Sequence, residues 1–326
     1  MGADQLFELR RRTFNTPAFQ GIEFIEVESK SIINHVPGES LPFSWTINPY
    51  RGCSHACVYC FARKTHTYMD MDAGRDFETK IVVKVNASQL LRKELRARRW
   101  KGDRIAMGTA TDPYQRAEGK YRLMRGIIET LTEFRNPFSI LTKGTLILRD
   151  LDLLVAASAV TEVSAALSIP TLDEDVWRSS EPGTPHPRKR LEAVERLNEA
   201  GIPCGVMIAP ILPGISDSDE QVRAVVEASI AAGATHASPI LLHLRPVVKD
   251  VYMDWLGTAY PDLVPRYEDM YRRAYASHAE RTSLGTRVRH FIEEAGGLHP
   301  KVARVHHWRR PPKVTREDPA EQLSLL

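Results

Sequence analysis

Cysteine is scarce in this chain, four residues among 326, too few for a disulfide framework to hold a fold of this size. Also missing is any apolar run long enough to cross a bilayer, so no membrane is expected as a partner. The opening residues, MGADQLFELRRRTFN, have no apolar stretch followed by a small-residue cleavage site. That argues against a secretory signal and makes the cytoplasm the expected compartment. Thiols stay reduced there, and a tight group of them points to metal or redox chemistry. Charge of one sign is not in excess either: the formal net charge is only +3, but its distribution is uneven. Basic character is local. Residues 92–104, RKELRARRWKGDR, and 301–316, KVARVHHWRRPPKVTR, each carry one tryptophan, Trp100 and Trp308. Such a composition can clamp phosphates and stack bases, and equally describes a solvated helix face and a flexible tail. No internal repeat of sequence is visible.

What the chain has in quantity is β-branched apolar runs alternating with amphipathic stretches, the pattern of parallel βα units. Six strands are expected, at FSWTIN (43–48), RIAMG (104–108), FSILT (138–142), EVSAALSI (162–169), CGVMIAPI (204–211) and HASPILLHL (236–244). Helices fall between them. Pro187 should open one that Gly201 closes, and Ser216 or Asp217 should cap the next, which ends near Gly233. The fold class is therefore α/β. Six right-handed units either curl into a partial barrel or lie as an open doubly wound sheet, and periodicity does not choose between them. The expected layout is an N-terminal extension over 1–40, a core over 41–250, a helical region packed on the core over 251–300, and a basic tail over 301–326 that ends in QLSLL.

Reactive side chains follow most of these strands. The cysteine loop comes after the first, TATDPYQRAE after the second, Thr142 and Lys143 after the third, Ser168 near the end of the fourth, and His243 and Arg245 at the sixth. Active sites of α/β barrels and open sheets form where the C-terminal strand ends converge, so these residues should share one mouth. The thiols are the sharpest signal. Cys53, Cys57 and Cys60 lie in NPYRGCSHACVYCFARKTH, spaced C-x3-C-x2-C, whereas Cys204 starts a distant strand and reads as a buried hydrophobe. Three thiolates on one loop can ligate three irons of a [4Fe-4S] cubane and leave the fourth open. The competing reading is a tetrahedral zinc site completed by His55 or His66.

RGCSHACVYCFAR, directly after a first strand, resembles the cysteine loop of radical S-adenosylmethionine (SAM) enzymes. GTATDPYQRAE, LTKGT, EPGTPHPRKRLEAV and APILPGISDS resemble the branch related to spore photoproduct lyase, often labelled DNA repair photolyase, and the likeness spans about residues 20–300. The resemblance implies a partial (βα)6 barrel in which Cys53, Cys57 and Cys60 hold a [4Fe-4S] cluster whose open iron binds SAM. It implies that an electron from a donor such as flavodoxin or ferredoxin cleaves SAM to methionine and a 5′-deoxyadenosyl radical, which abstracts hydrogen from the substrate. Roles follow for Tyr59 against adenine, Lys143 at the SAM carboxylate, Ser168 at the ribose hydroxyls, and Thr111 and Asp112 near the methionine amino group. Thr109, Glu118 and His243 are candidates for the substrate chemistry.

Two residues depart from that branch. Spore photoproduct lyase returns hydrogen from a cysteine after the second strand and carries a tyrosine directly after the last cluster cysteine. Thr109 and Phe61 stand at those places here, a hydroxyl that gives up its hydrogen atom poorly and a ring with no O–H. The reaction class is expected to carry over, and the thymine-dimer relay is not. The tail residues Gln322, Leu323, Ser324, Leu325 and Leu326 resemble the short peptides by which bacterial replication and repair proteins dock on the sliding clamp. Three readings stand: a radical SAM enzyme acting on a damaged or modified base in DNA, one acting on a peptide or small metabolite, and a non-catalytic iron–sulfur or zinc protein that binds nucleic acid.

Overall fold

The computed structural model describes residues 10–37, 41 and 43–299. The chain opens with β1 (Arg10–Thr13), β2 (Glu23–Val27) and β3 (Ile33–His35), followed by β4 (Trp45–Ile47), β5 (Tyr50–Arg51) and β6 (Lys80–Lys84). Then come β7 (Ile105–Met107), β8 (Phe138–Thr142), β9 (Val163–Ser168), β10 (Cys204–Ile211) and β11 (Ala237–Leu241). All six expected strands are present as β4 and β7 to β11, the third and fifth with the boundaries read from sequence and the others trimmed at their ends. These six run parallel and adjacent in chain order, with β3 antiparallel on the outer edge of β4. A doubly wound sheet would reverse its order at a switch point; this one never does. Right-handed crossovers between sequential neighbours then put every crossover helix on one face and let the sheet curl around the other.

The helices α1 (Lys64–Thr67) and α2 (Arg75–Thr79) follow the cysteine loop. The crossovers are α3 (Ala87–Leu95), α4 (Arg116–Tyr121), α5 (Leu123–Glu133), α6 (Leu151–Ser158), α7 (Glu174–Ser180), α8 (Pro187–Glu199) and α9 (Asp219–Ala231). Strand alternation decides what each side chain meets. On β8, Phe138 and Ile140 are buried on one face, while Leu141, the next residue, turns to the other face and lines a cavity. Each such fully buried apolar side chain contributes about 1.5–3 kcal/mol. Pro187 opens α8, and Gly201 and Gly233 follow α8 and α9 at positive φ, as their positions in the sequence require. The cap of α9 is neither Ser216 nor Asp217. Ser218 accepts the Gln221 N–H, because Ser216 is drawn to the Leu212 N–H and Asp217 to the Gly214 N–H.

A second sheet, in the order β1-β2-β6-β5, has no counterpart among the six expected strands. Phe24, Ile81, Val83 and Tyr50 form its buried side, and it delivers β5 directly into the cysteine loop. In the basic stretch 92–104, Arg92 and Arg96 pair with Glu133, Arg104 pairs with Glu162, and Trp100 packs edge-on against Trp45 and donates to Asn136. The second basic stretch, Trp308 and the QLSLL tail lie outside the described residues. A C-terminal layer of α10 (Pro246–Ala259), α11 (Val264–Met270) and α12 (His278–Glu294) closes the fold. Tyr252, Tyr267 and Tyr271 bury their rings there in a cluster that also includes Cys57 and Tyr59. Among the described residues, no helix is long and apolar enough to cross a membrane.

Candidate functional site

The cysteine loop leaves β5 through Gly52, and its shape is imposed by neighbours on three sides. The Cys53 N–H donates to the Phe77 carbonyl, the Val58 N–H to Ser180, and the Gly183 N–H back to His55. Gly183 is required by contact: a Cβ there would lie 2.1 Å from the Ser54 carbonyl oxygen. Arg63, fully buried, donates to the carbonyls of Cys57, Ala73 and Gly74 and to the Glu78 carboxylate. Its fork therefore staples the loop to the segment before α2. Cys53, Cys57 and Cys60 are free thiols, and all three line one cavity at the C-terminal ends of the parallel strands. Burial pushes all three above the ordinary thiol range. A bound cation is what turns such thiols into thiolates, with release of their protons.

The donor set fits an iron–sulfur cubane better than zinc. Among the described residues no three His, Cys, Asp or Glu side chains converge as a single ion requires; a cubane takes its thiolates at three separate irons. His66, one of the two candidates to complete a zinc tetrahedron, does not line the cavity. Its Nε2 lies 2.9 Å from the Lys80 carbonyl oxygen and its ring packs edge-on against Phe77. His55 does line the cavity, but its Nδ1 faces Asp112 Oδ2 at 3.4 Å.

The other strand ends bring Thr109, Thr111, Asp112, Lys143, Ser168 and His243 to the same cavity, with Tyr59 and Phe61 from the cysteine loop. Gly108, at φ +85°, lets the end of β7 approach β8, where a Cβ would collide with the Leu141 carbonyl oxygen. Lys143 Nζ donates to Ser168 Oγ at 2.5 Å and to the Ala209 carbonyl at 3.3 Å, pairs with the charge of Glu181 Oε1 at 3.0 Å, and lies 5.6 Å from the Tyr59 ring centre. Glu181 is the hub of this wall. It also accepts from the Tyr59 hydroxyl and from Arg190 Nη2. Burial alone would raise its carboxyl, but Arg190, Lys143 and the Tyr59 hydrogen bond hold it down to about 2.

Asp112 is saturated by protein donors. Oδ1 accepts from Thr142 Oγ1 and the Tyr114 N–H, and Oδ2 accepts from the Lys143 N–H and faces His55. Burial works against its charge, and His55 with these bonds more than offsets it, holding the carboxyl below its ordinary value. The Thr111 hydroxyl is committed to the Tyr50 carbonyl. Burial first, then Arg245, lower the His243 imidazole. Glu118 is the one candidate the fold carries elsewhere: its carboxylate is fully buried between Arg149, Tyr50 Oη and the Met124 N–H, and does not line the cavity. Burial raises that carboxyl, with Arg149 pulling the other way.

Glu181, Arg190 and Arg63 are not among the site residues expected from sequence, and His55 was expected there only as a zinc ligand. Glu181 and Arg190 stand inside EPGTPHPRKR on the connection from α7 into α8, and nothing in their spacing places them at a strand end. His55 sits between two cluster candidates, where only a partner such as Asp112 reveals its orientation.

The sequence profile of the Radical SAM superfamily matches residues 47–226. An uncharacterized protein of Mycobacterium tuberculosis is 48% identical over 279 residues, covering 85% of this chain and 82% of the relative. An uncharacterized protein of Methanocaldococcus jannaschii is 33% identical over 201 residues, 60% of this chain and 70% of the relative. Among solved structures, a spore photoproduct lyase mutant aligns with a TM-score of 0.64 at 18% identity, over 85% of this chain and 81% of that one. Another mutant of that lyase, with bound AdoMet and dinucleoside spore photoproduct, gives the same TM-score over 80% of its chain.

Proposed function

The chain belongs to the radical SAM superfamily, and from that premise we propose that it acts on nucleic acid, taking hydrogen from a damaged or modified base in DNA. The family's cofactors, a [4Fe-4S] cluster and SAM, supply when bound the reductive cleavage that yields methionine and the 5′-deoxyadenosyl radical. The observation that carries the reading is the sharing of one cavity by three free thiols, Tyr59, Lys143 and Ser168. A protein that merely held a metal would have no use for the last three. On the side of DNA, a protein of the same fold binds a dinucleoside photoproduct together with AdoMet.

In this reading Cys53, Cys57 and Cys60 hold the cluster, and Lys143, already surrounded by acceptors, exchanges one of them for the SAM carboxylate. Ser168 takes a ribose hydroxyl, and Tyr59 offers its ring to adenine, fixed by Glu181 through its hydroxyl. Asp112 and Thr111 act as positioning residues for the SAM amino end, since their own polar atoms are spent on His55, Thr142, Lys143 and Tyr50. The apolar cavity wall, with Met207, Pro210, Ile240 and Leu242, excludes water and competing hydrogen donors. Thr109 and Phe61 line the cavity where a thiol and a phenol would serve a radical relay, so the reading includes no such relay. A flavodoxin- or ferredoxin-type donor supplies the electron, and the Gln322–Leu326 peptide docks on a sliding clamp.

The test is anaerobic reconstitution with iron, sulfide, dithionite and SAM in the presence of DNA deuterated at its bases. Deuterium should appear in 5′-deoxyadenosine, and Cys53→Ala, Cys57→Ala and Cys60→Ala should each abolish its formation while Cys204→Ala does not. SAM cleavage without transfer from any DNA would overturn the substrate and turn attention to peptides and small metabolites.

A further inference from the structure

The lip of the cavity leaves large apolar groups in water. Phe61, next to Cys60, is 44% exposed and Tyr275 48%. These two rings and His243 stand in a row. Phe61 and His243 have ring centres 6.0 Å apart and planes inclined by 36°; His243 and Tyr275 are 5.3 Å apart and nearly parallel, at 21°. An isolated backbone bridge between His243 and Tyr275 fixes that pair. Phe61 and His243 line the cavity, so the row runs from its wall out to the surface.

Ring surface left in solvent contributes nothing to folding, and the backbone-held His243–Tyr275 stack, with Phe61 tilted beside it, is an aromatic surface formed in advance. Its surroundings are cationic. The Arg281 guanidinium lies 5.8 Å from the Tyr275 ring centre, Arg245 follows His243 by two residues and is exposed, and Lys64, three residues after Phe61, is exposed with its ammonium 5.7 Å from the Tyr68 ring centre. Flat rings beside dispersed cations are what a single nucleic-acid strand binds, its bases on the rings and its phosphates on the charges. An apolar peptide would use the rings but leave the cations without a task.

Resting on the reading of nucleic acid as substrate, we propose that Phe61, His243 and Tyr275 form the seat of an unpaired nucleobase, with the adjoining phosphates met by Arg245, Arg281 and Lys64. A base inside a duplex already has stacking partners on both faces, so the seat takes a base from a single strand or one extruded from a helix. Stacking is indifferent to which base is present; the cavity behind Phe61 supplies the choice of reacting carbon.

The full-length protein with its cluster, kept anaerobic, is titrated with two fluorescein-labelled strands of equal length and charge, oligothymidylate and its abasic tetrahydrofuran analogue. Oligothymidylate should bind about tenfold or more tightly than the abasic strand at the same salt concentration. Tyr275→Leu and His243→Leu should each remove most of that preference, whereas Tyr275→Trp should keep it. Leucine fills the space without offering a π face, so a role in packing alone would survive the leucine variants. Equal binding of the two strands, or a preference that outlasts both leucine substitutions, removes the seat and leaves the nucleic-acid reading standing. Binding of neither strand removes that reading and the seat with it.

Discussion

Replacing Glu181 by glutamine keeps the shape of the side chain and deletes one negative charge where Arg190, Lys143 and Tyr59 converge. In the folded protein this carboxyl is held to about 2 against an ordinary 4.5, equivalent to about 3 kcal/mol of folding free energy at neutral pH. A second route gives the same order. Glu181 and Arg190 are both fully buried, and removing one partner of a buried pair costs about 3–5 kcal/mol. The sign follows from the lowered folded value: the contribution is complete above pH 4.5, where the carboxyl is ionised in both states, and is lost as pH falls toward 2. Denaturant melts of cluster-free wild type and Glu181→Gln are the assay. They should differ by about 3 kcal/mol at neutral pH, with the difference shrinking steadily as the solution is acidified below the ordinary carboxylate value. A difference under about 1 kcal/mol, the worth of an ordinary hydrogen bond, or one that stays constant on acidification, would refute the electrostatic account of this wall.

Lys143→Met should weaken SAM binding about tenfold or more, the loss expected for a charge-assisted hydrogen bond, with iron content unchanged; calorimetric titration of the reconstituted protein reads this, and equal affinity would remove Lys143 from the SAM site. Gly183→Ala puts a methyl 2.1 Å from the Ser54 carbonyl oxygen, so it should lower stability by about 1–3 kcal/mol or more and reduce retained iron, both measured on purified protein. Glu118→Gln should leave the rate of 5′-deoxyadenosine formation within about twofold of wild type, because its carboxylate meets Arg149 and Tyr50 rather than the cavity. A folded Glu118→Gln variant without activity would contradict that placement.

The six parallel strands were legible because they are short apolar runs alternating with amphipathic stretches, two of which, α8 and α9, carry clear start or stop signals, and the cavity residues were legible because they follow those strands. The second sheet was not. β1 is Arg-Arg-Arg-Thr with every residue exposed, and β5 is two residues long, so neither offers an alternation to read. The apolar centre of β6, Ile81 to Val83, was in principle visible, but it is bracketed by lysines and runs straight into α3. Glu118 was placed by its distance after the second strand, whereas the chain coils into α4 there and turns the carboxylate under Arg149. Trp100 shows the same limit: its contacts with Trp45 and Asn136 join residues far apart in the chain, and no local pattern places them. Glu181 and Arg190 act through tertiary contacts alone, and no local pattern announces those.

Arg63 and the Ser180–Gly183 turn mould the cysteine loop through main-chain carbonyls and amides, so its contour is written in residues other than the thiols themselves. Architecture and reactivity are thereby separately heritable. A descendant that traded away all three sulfurs would keep a folded, hollow protein whose pocket was free to be recruited for another task.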